Sequence, residues 1–455
     1  MTGRRPGAAQ RRVLLVVIAA VLLGGVGAAL ARRSSAACGE PLTTPQGVDT
    51  PFFNGAQMRA HPDPRRDRLV RSVSRWPAPF GPVLGAVGFD YGQWLTLAGL
   101  DGGLGAWTRR NPDFAVLDQS TLTPRWGIRE SGADQHAWDA GPGTYLGLTL
   151  GTHRPMQASS YDVRTGRRHW CTAVGSVPTR LEDPLATQVL DDGGLAVLSN
   201  APAGAQLSRL GAAEGRVRWQ RRIATTEPGA ALASLGHTLL LVGGQPQSGL
   251  ADPRSATGAA RQRGSVTAFA ARDGKAAWTY QPPRGSAVHV VGTDPLRGLV
   301  VLMELRYGRT VTGRLAALDR SGRQVWSQVP PRHFYLDAAV RAGVVLVRSR
   351  TALTAYAIGD GKALWHKAIP QRGQFFAYGF TLEQMPLLDE HQLLVPTTSD
   401  LRILDLASGA WRRYPLPTDG VNTTFWPYQV VVTDKLIAVV TNTAAVVVRR
   451  QPAPG

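Results

Sequence analysis

Cysteine and lysine are both scarce. The 455 residues hold two cysteines, Cys38 and Cys171, and four lysines, Lys275, Lys362, Lys367 and Lys435. Nearly all of the basic charge is therefore arginine, spread through a chain rich in alanine, glycine and proline. With no compact basic run beyond the N-terminal segment and no RNP or helix-turn-helix pattern, nucleic acid is not an expected partner. The nine histidines form no HExxH or other paired ligand spacing, which removes the usual zinc-hydrolase signature. No GxSxG elbow or Walker loop occurs, so neither an α/β-hydrolase nor a phosphate-cradling fold is indicated.

What remains is ample apolar material: 43% of residues are hydrophobic and 18% charged. That composition excludes disorder and collagen and can bury a large core. The length exceeds the usual single-domain size unless the fold is a barrel or a repeat. The formal net charge is +19, and six arginines (4, 5, 11, 12, 32 and 33) flank one apolar segment near the N-terminus. The excess would also suit anionic lipid or an acidic envelope polymer.

That segment, residues 13–31, is uncharged throughout. At 1.5 Å per residue it spans about 28 Å, close to the roughly 30 Å of a bilayer core. Four arginines before it and two after it place residues 1–12 in the cytoplasm and the rest outside, by the positive-inside rule. The expectation is a single-pass protein of the cell membrane, anchored by a transmembrane helix or uncleaved signal anchor. A cleaved signal, a twin-arginine address at Arg11-Arg12 and a lipoprotein box at residues 35–38 are the alternatives. Outside the membrane, two cysteines and no third are most simply a disulfide, Cys38 to Cys171, tying the juxtamembrane segment to the body.

An internal repeat dominates the remainder. The stretches ending in Trp126, Trp170, Trp219, Trp278, Trp326, Trp365 and Trp411 share one grammar, with intervals of 44, 49, 59, 48, 39 and 46 residues. A short alternating run meets a polar turn, most often with glycine, and the returning run ends in tryptophan. Alternation gives a half-buried strand. In the turn at 319–322, Asp319 supplies an acceptor for turn amides and Gly322 can take positive φ. The indole can bury a large area while its N–H finds a backbone acceptor in a neighbouring unit. Further apolar runs before each hairpin bring every unit to four strands. Four-stranded units at this period are β-propeller blades.

After Trp411 the chain offers inner strands without a closing tryptophan strand, whereas residues 69–76 (LVRSVSRW) alternate and end in Trp76, one period before Trp126. Sharing one blade between the two ends would hide two exposed edges. The expected fold is all-β, an eight-bladed propeller (alternatively seven) of four-stranded antiparallel blades over residues 68–450. It would follow one transmembrane helix and a linker at 32–67, and leave a tail at 451–455.

The hairpins that carry the pattern best are Tyr161-Asp162 through Gly166 to Trp170, Leu318-Asp319 through Gly322 to Trp326, and Asp360-Gly361-Lys362 to Trp365. They resemble the quinoprotein-type (PQQ-like) propeller repeat. Leu210 and Ala357 depart from its early Asp, and Thr123-Pro124 from its Gly turn. The resemblance implies one of two things: a quinone-dependent dehydrogenase, or a non-catalytic propeller of the BamB type. The dehydrogenases are associated with adjacent cysteines and a Ca²⁺ site of Glu, Asn and Asp. With Cys38 and Cys171 far apart, the resemblance favours the non-catalytic branch, and neither PQQ nor calcium is expected as cofactor. The acidic pairs at 182–183, 191–192 and 389–390 read as solvated turns.

Aromatic residues recur where the chain leaves one tryptophan and enters the next inner strand: His136 and Trp138; His333, Phe334 and Tyr335; Phe375 and Tyr378; Phe425, Trp426 and Tyr428. Gathered on one face by a rigid ring, they suit recognition of an envelope protein or peptide partner. Plugging the channel mouth is the other use of such rings.

Overall fold

The computed structural model describes residues 40–42, 52, 59–88, 95–108, 114–129, 134–139, 143–150, 156–175, 186–201, 204–223, 230–243, 264–283, 285–306, 312–330, 335–349, 352–368, 381–397, 400–417 and 427–451. These residues are almost wholly antiparallel strand, arranged in eight sheets. Sheet I holds Leu95–Leu100, Gly103–Thr108, Phe114–Asp118 and Pro124–Arg129. Sheet II holds Asp134–Asp139, Thr144–Leu150, Met156–Asp162 and Arg168–Gly175; sheet III holds Ala186–Val189, Leu195–Ala201, Gly204–Leu210 and Val217–Ile223. Sheet IV holds Ala231–Leu235, Thr238–Gly243, Ser265–Ala270 and Ala276–Tyr280; sheet V holds Ser286–Asp294, Leu299–Arg306, Thr312–Leu318 and Gln324–Gln328. Sheet VI holds Tyr335–Arg341, Val344–Ser349, Ala352–Ala357 and Ala363–Ala368; sheet VII holds Gln392–Pro396, Asp400–Asp405 and Trp411–Pro415. In sheets I to VI the strands follow chain order from the inner edge outward.

The second strands read as continuous apolar runs because both faces of each sheet are covered. Along Leu299–Arg306, Val300 and Leu302 enter an apolar cluster shared with sheet IV, while Val301 and Met303 enter one shared with sheet VI. Eight such clusters lie among the described residues, each between consecutive sheets, and one of them joins the last sheet to the first.

The repeated tryptophans bind the sheets in sequence. In six of them the Nε1–H donates to a carbonyl in the outer turn of the next sheet: Trp126 to Val163 (2.8 Å), Trp170 to Ala212 (2.7 Å) and Trp219 to Ala271 (2.8 Å). Trp278 does so to Arg320, Trp326 to Ile358 and Trp365 to Leu406, each at 2.8 Å. The same turns place a glycine on the indole. At Gly215, φ is +61° and an added Cβ would lie 2.2 Å from Trp170 Cδ2. Gly166, Gly274, Gly322, Gly361 and Gly409 repeat the arrangement on Trp126, Trp219, Trp278, Trp326 and Trp365. The turns are themselves held by aspartate: Asp162 accepts from the N–H groups of Arg164 and Thr165, and Asp405 from that of Ser408. The Ser408 hydroxyl and N–H hold the Asp405 carboxyl below its usual range.

Closure differs in one respect from the sequence expectation. Of the strand expected at residues 69–76, residues 69–73 belong instead to the helix Pro64–Val73 and residues 74–76 to the turn after it. Asp63 caps it, accepting from Arg65 N (2.9 Å) and Arg66 N (3.2 Å), and Pro64 opens it. Arg66, Leu69 and Val73, spaced three and four apart, form its buried face. The closing strand is Phe80–Gly88, which pairs antiparallel with Ala444–Arg450. With Leu436–Thr441 and Pro427–Val432 it makes sheet VIII, so a strand that precedes sheet I in the chain and the last three strands share one sheet. Trp76 packs edge-to-face on Phe80 and Tyr414, and its Nε1–H donates back to Pro415 O in sheet VII at 3.2 Å.

Two other features concern the N-terminal region. Glu40–Leu42 pairs with Pro124–Arg129 and adds a fifth, outermost strand to sheet I. Cys171, on the outer strand of sheet II, is disulfide-bonded, and Cys38, the one other cysteine of the chain, lies outside the described residues. Residues 13–31 also lie outside them. Among the described residues no helix is long and apolar enough to cross a membrane.

The glycine contact is testable against a glycine of similar backbone. Gly236 has φ +58° and nothing within 4 Å of an added Cβ. Gly215→Ala is expected to cost about 2–4 kcal/mol in urea unfolding, and Gly236→Ala about 1 kcal/mol. Equal losses would show that the Trp170 contact contributes nothing.

Candidate functional site: the inner strands

In each of sheets I to VI the first strand is the inner one, and inner strands of consecutive sheets lie side by side, as between sheets IV and V and between V and VI. The sequence-predicted residues fall on or near these strands. His136 and Trp138 sit within Asp134–Asp139, opposite Leu148 and Leu146, so their backbone belongs to the ladder and not to the connection before it. Tyr335 is the first residue of the inner strand of sheet VI, opposite Ser349, and Tyr428 lies in the inner strand of sheet VIII. His333, Phe334, Phe375, Tyr378, Phe425 and Trp426 lie outside the described residues.

Around these strands the structure gathers charged and polar groups that sequence reading missed. Asp337, on the inner strand of sheet VI, is 4% exposed. It accepts from the N–H of Leu382, which opens the 3₁₀ turn Leu382–Gln384, and faces Arg348 Nη2 at 3.4 Å. Burial nevertheless pushes its carboxyl up to about 6, against the pull of Arg348. Arg341, from the same strand, donates to the carbonyl of Glu383. Burial lowers both the Arg341 and the Arg348 guanidinium from their ordinary range. On the adjoining inner strand of sheet V, burial holds His289 down to about 4.

Two further groups brace seams. Glu304 is buried and accepts from Arg314 Nε (2.9 Å) and Nη2 (2.8 Å) and from the Tyr280 hydroxyl of sheet IV. Burial, then the hydrogen bond to Glu304, raises the Tyr280 hydroxyl above its ordinary range. At the seam between sheets VIII and I, the Gln429 side-chain amide imitates a strand: its Oε1 accepts from Leu97 N (2.8 Å) and its Nε2 donates to Leu97 O (2.7 Å). Among the described residues no three His, Cys, Asp or Glu side chains gather where they could hold a metal ion.

A family model described as "Outer membrane protein assembly factor BamB" matches residues 160–329 and 262–452. The chain belongs to this family. The matched residues of this BamB-family chain run from the third strand of sheet II to the last strand of the chain, Ala444–Arg450, and take in the Trp–Gly contacts from Trp170 onward. No curated protein matches. Among solved structures, BamB from Moraxella catarrhalis is 16% identical, with a TM-score of 0.49 over 81% of this chain and 99% of that one. The computationally designed Ika8 protein is 10% identical, with a TM-score of 0.51 over 80% and 98%. A europium-containing methanol dehydrogenase is 11% identical, with a TM-score of 0.46 over 78% and 84%. Likeness at such identity speaks to fold alone, an all-β propeller of antiparallel sheets.

The family repeat accounts for the tryptophans but not for the inner-strand charges, which follow from side chains peculiar to sheets V to VII. Asp337 and His289 give opposite pH dependences. Asp337 titrates at about 6 in the fold against an ordinary 3.8, so its contribution to stability is complete below about pH 4 and is lost as pH rises through 6. His289 titrates at about 4 against 6.5, so its contribution is complete above pH 6.5 and is lost as pH falls through 4. Urea midpoints of His289→Gln are therefore expected to fall between pH 4 and 6, and those of Asp337→Asn to rise over the same range. Unaltered profiles in both variants would contradict the assignment.

Proposed function

We propose that this chain is a single-pass, membrane-anchored protein whose eight sheets form an eight-bladed propeller on the extracytoplasmic side, where it serves as a protein-binding scaffold in envelope assembly. The observation that carries the reading is membership in a family described as an outer membrane protein assembly factor. The anchor rests on residues 13–31 and their flanking arginines. A non-catalytic role is favoured by the spacing of the two cysteines, which precludes the adjacent pair associated with quinone-dependent dehydrogenases.

The binding face is assigned to the end of the ring where inner strands begin. The inner strand is first in chain order in each of sheets I to VI, so these strands start on one face. Tyr335 stands at such a start, and Tyr428 is the second residue of Pro427–Val432. Together with His136, Trp138, His333, Phe334, Phe375, Tyr378, Phe425 and Trp426 they supply aromatic anchors of the kind that dominate protein interfaces.

The test is capture of envelope proteins by the full chain and by Tyr335→Ala and Trp426→Ala variants of unchanged thermal midpoint. Each substitution is expected to weaken capture by about 2 kcal/mol, the scale of an interface hot spot. Undiminished capture would remove the mouth from the account. Dye-linked alcohol or sugar oxidation by the chain after addition of quinone and Ca²⁺ would overturn the scaffold reading itself.

A further inference from the structure

The outer rim of sheet VII carries a feature that neither the repeat nor the channel mouth explains. The helix Pro64–Val73, the turn after it and the strand Trp411–Pro415 enclose an open groove of about 460 Å³. Arg68, Arg71 and Arg75 form one wall, Arg413 lies across from them, and Trp76 and Tyr414 contribute to the lining. No carboxylate lines it. All four arginines are exposed, and although Arg413 also pairs with the buried Asp400, its side chain remains 62% exposed.

These arginines lie off the face by which the helix packs. Its packing face is Arg66, Leu69 and Val73, and its acidic first-turn residue, Asp67, is taken by Arg66 Nε at 3.0 Å and Nη2 at 2.8 Å. The helix is held to sheet VII by other groups: Ser72 Oγ and Trp76 Nε1 both donate to Pro415 O, and Tyr414 Oη donates to Ala78 O. Arg68 and Arg71, three apart, share the exposed face of the helix, and Arg75 follows in the turn after it.

We infer that this groove is a docking site for an extended acidic peptide segment of a partner protein. An extended chain advances about 3.3 Å per residue, so carboxylates on alternate residues recur about every 6.6 Å, within reach of long arginine side chains on successive turns about 5.4 Å apart. Guanidinium groups receive carboxylates in paired hydrogen bonds. The Trp76 and Tyr414 rings, with Pro77 and Pro415 beside them, offer an apolar floor for an intervening side chain. The groove is concave, so a flat bilayer would reach its rim and leave the floor unused. The inference deepens the scaffold reading, on which it rests only in taking the partner to be a protein, and it concerns a surface separate from the channel mouth.

The test uses the purified full chain in detergent and a fluorescein-labelled peptide with glutamate at alternate positions, followed by fluorescence anisotropy. Because this probe needs no natural partner, its result is independent of capture at the mouth. Binding is expected, weakening as salt is added. The double substitution Arg71→Glu with Arg75→Glu should reduce affinity about tenfold or more, whereas Arg221→Glu with Arg222→Glu, on the exposed outer strand of sheet III, should change it by less than about twofold. Absence of peptide binding, or equal loss in the two double variants, would overturn the site. So would Arg71- and Arg75-dependent binding to phosphatidylglycerol vesicles by a chain that ignores the peptide.

Discussion

One contact recurs around the molecule, and the rest depends on it: an indole laid flat on a turn glycine of the next sheet, with its N–H closed onto a carbonyl of that turn. A β-sheet has two edges and two faces to hide. The contact addresses the outer edge, where apolar packing would otherwise fade into solvent. Each indole brings apolar area and one directed hydrogen bond, so it fixes both the separation and the angle of neighbouring sheets. Glycine is demanded twice over at Gly215, once by its positive φ and once by the ring above it. The inner edges are held differently, by mixed and individual means: the Gln429 amide on Leu97, Asp337 on the Leu382 amide, Arg341 on the Glu383 carbonyl. A uniform outer clasp leaves the inner surface free to vary, and function on such a scaffold belongs where side chains vary.

Closure joins the first sheet to the last by pairing a strand that precedes sheet I with the last strands of the described chain. Phe80–Gly88 completes sheet VIII, and the helix before it covers the seam with sheet VII, where Leu69, Val73 and Trp76 join a cluster with Tyr414, Val430 and Val446. Trp76 thus serves the seam from the opposite direction to the other tryptophans, donating to the preceding sheet. The same helix turns its arginines outward, so a single ten-residue element both seals the ring and presents charge.

Much of this was readable in the sequence, because tryptophan at a period near 48 residues with a glycine turn before it has few structural meanings. The strands, the aspartate-held turns, the acceptor for each indole and the shared last sheet all follow from that pattern. The helix was not read, because residues 69–76 satisfy two periods at once: Leu69, Arg71 and Val73 alternate, while Arg66, Leu69 and Val73 fit a helix. Asp63-Pro64, a helix cap followed by a proline suited to the first turn, was the deciding signal. The titrating inner groups were invisible for a different reason. Nothing local marks Asp337 as buried; its environment is made by Arg348 and by Leu382, which lies 45 positions away. His136 and Trp138 were placed one step too early, in a connection, because a strand of six residues carries little alternation to locate its start.

The measurement that bears most directly on the account is hydrogen exchange at the indole nitrogens of the full chain, resolved by NMR with single-tryptophan assignments. If the clasp holds the sheets, the Nε1 protons of Trp126, Trp170, Trp219, Trp278, Trp326 and Trp365 exchange slowly and together, at the rate of global opening. Exchange of these protons at the rate of free indole, in a chain whose strand amides stay protected, would contradict it.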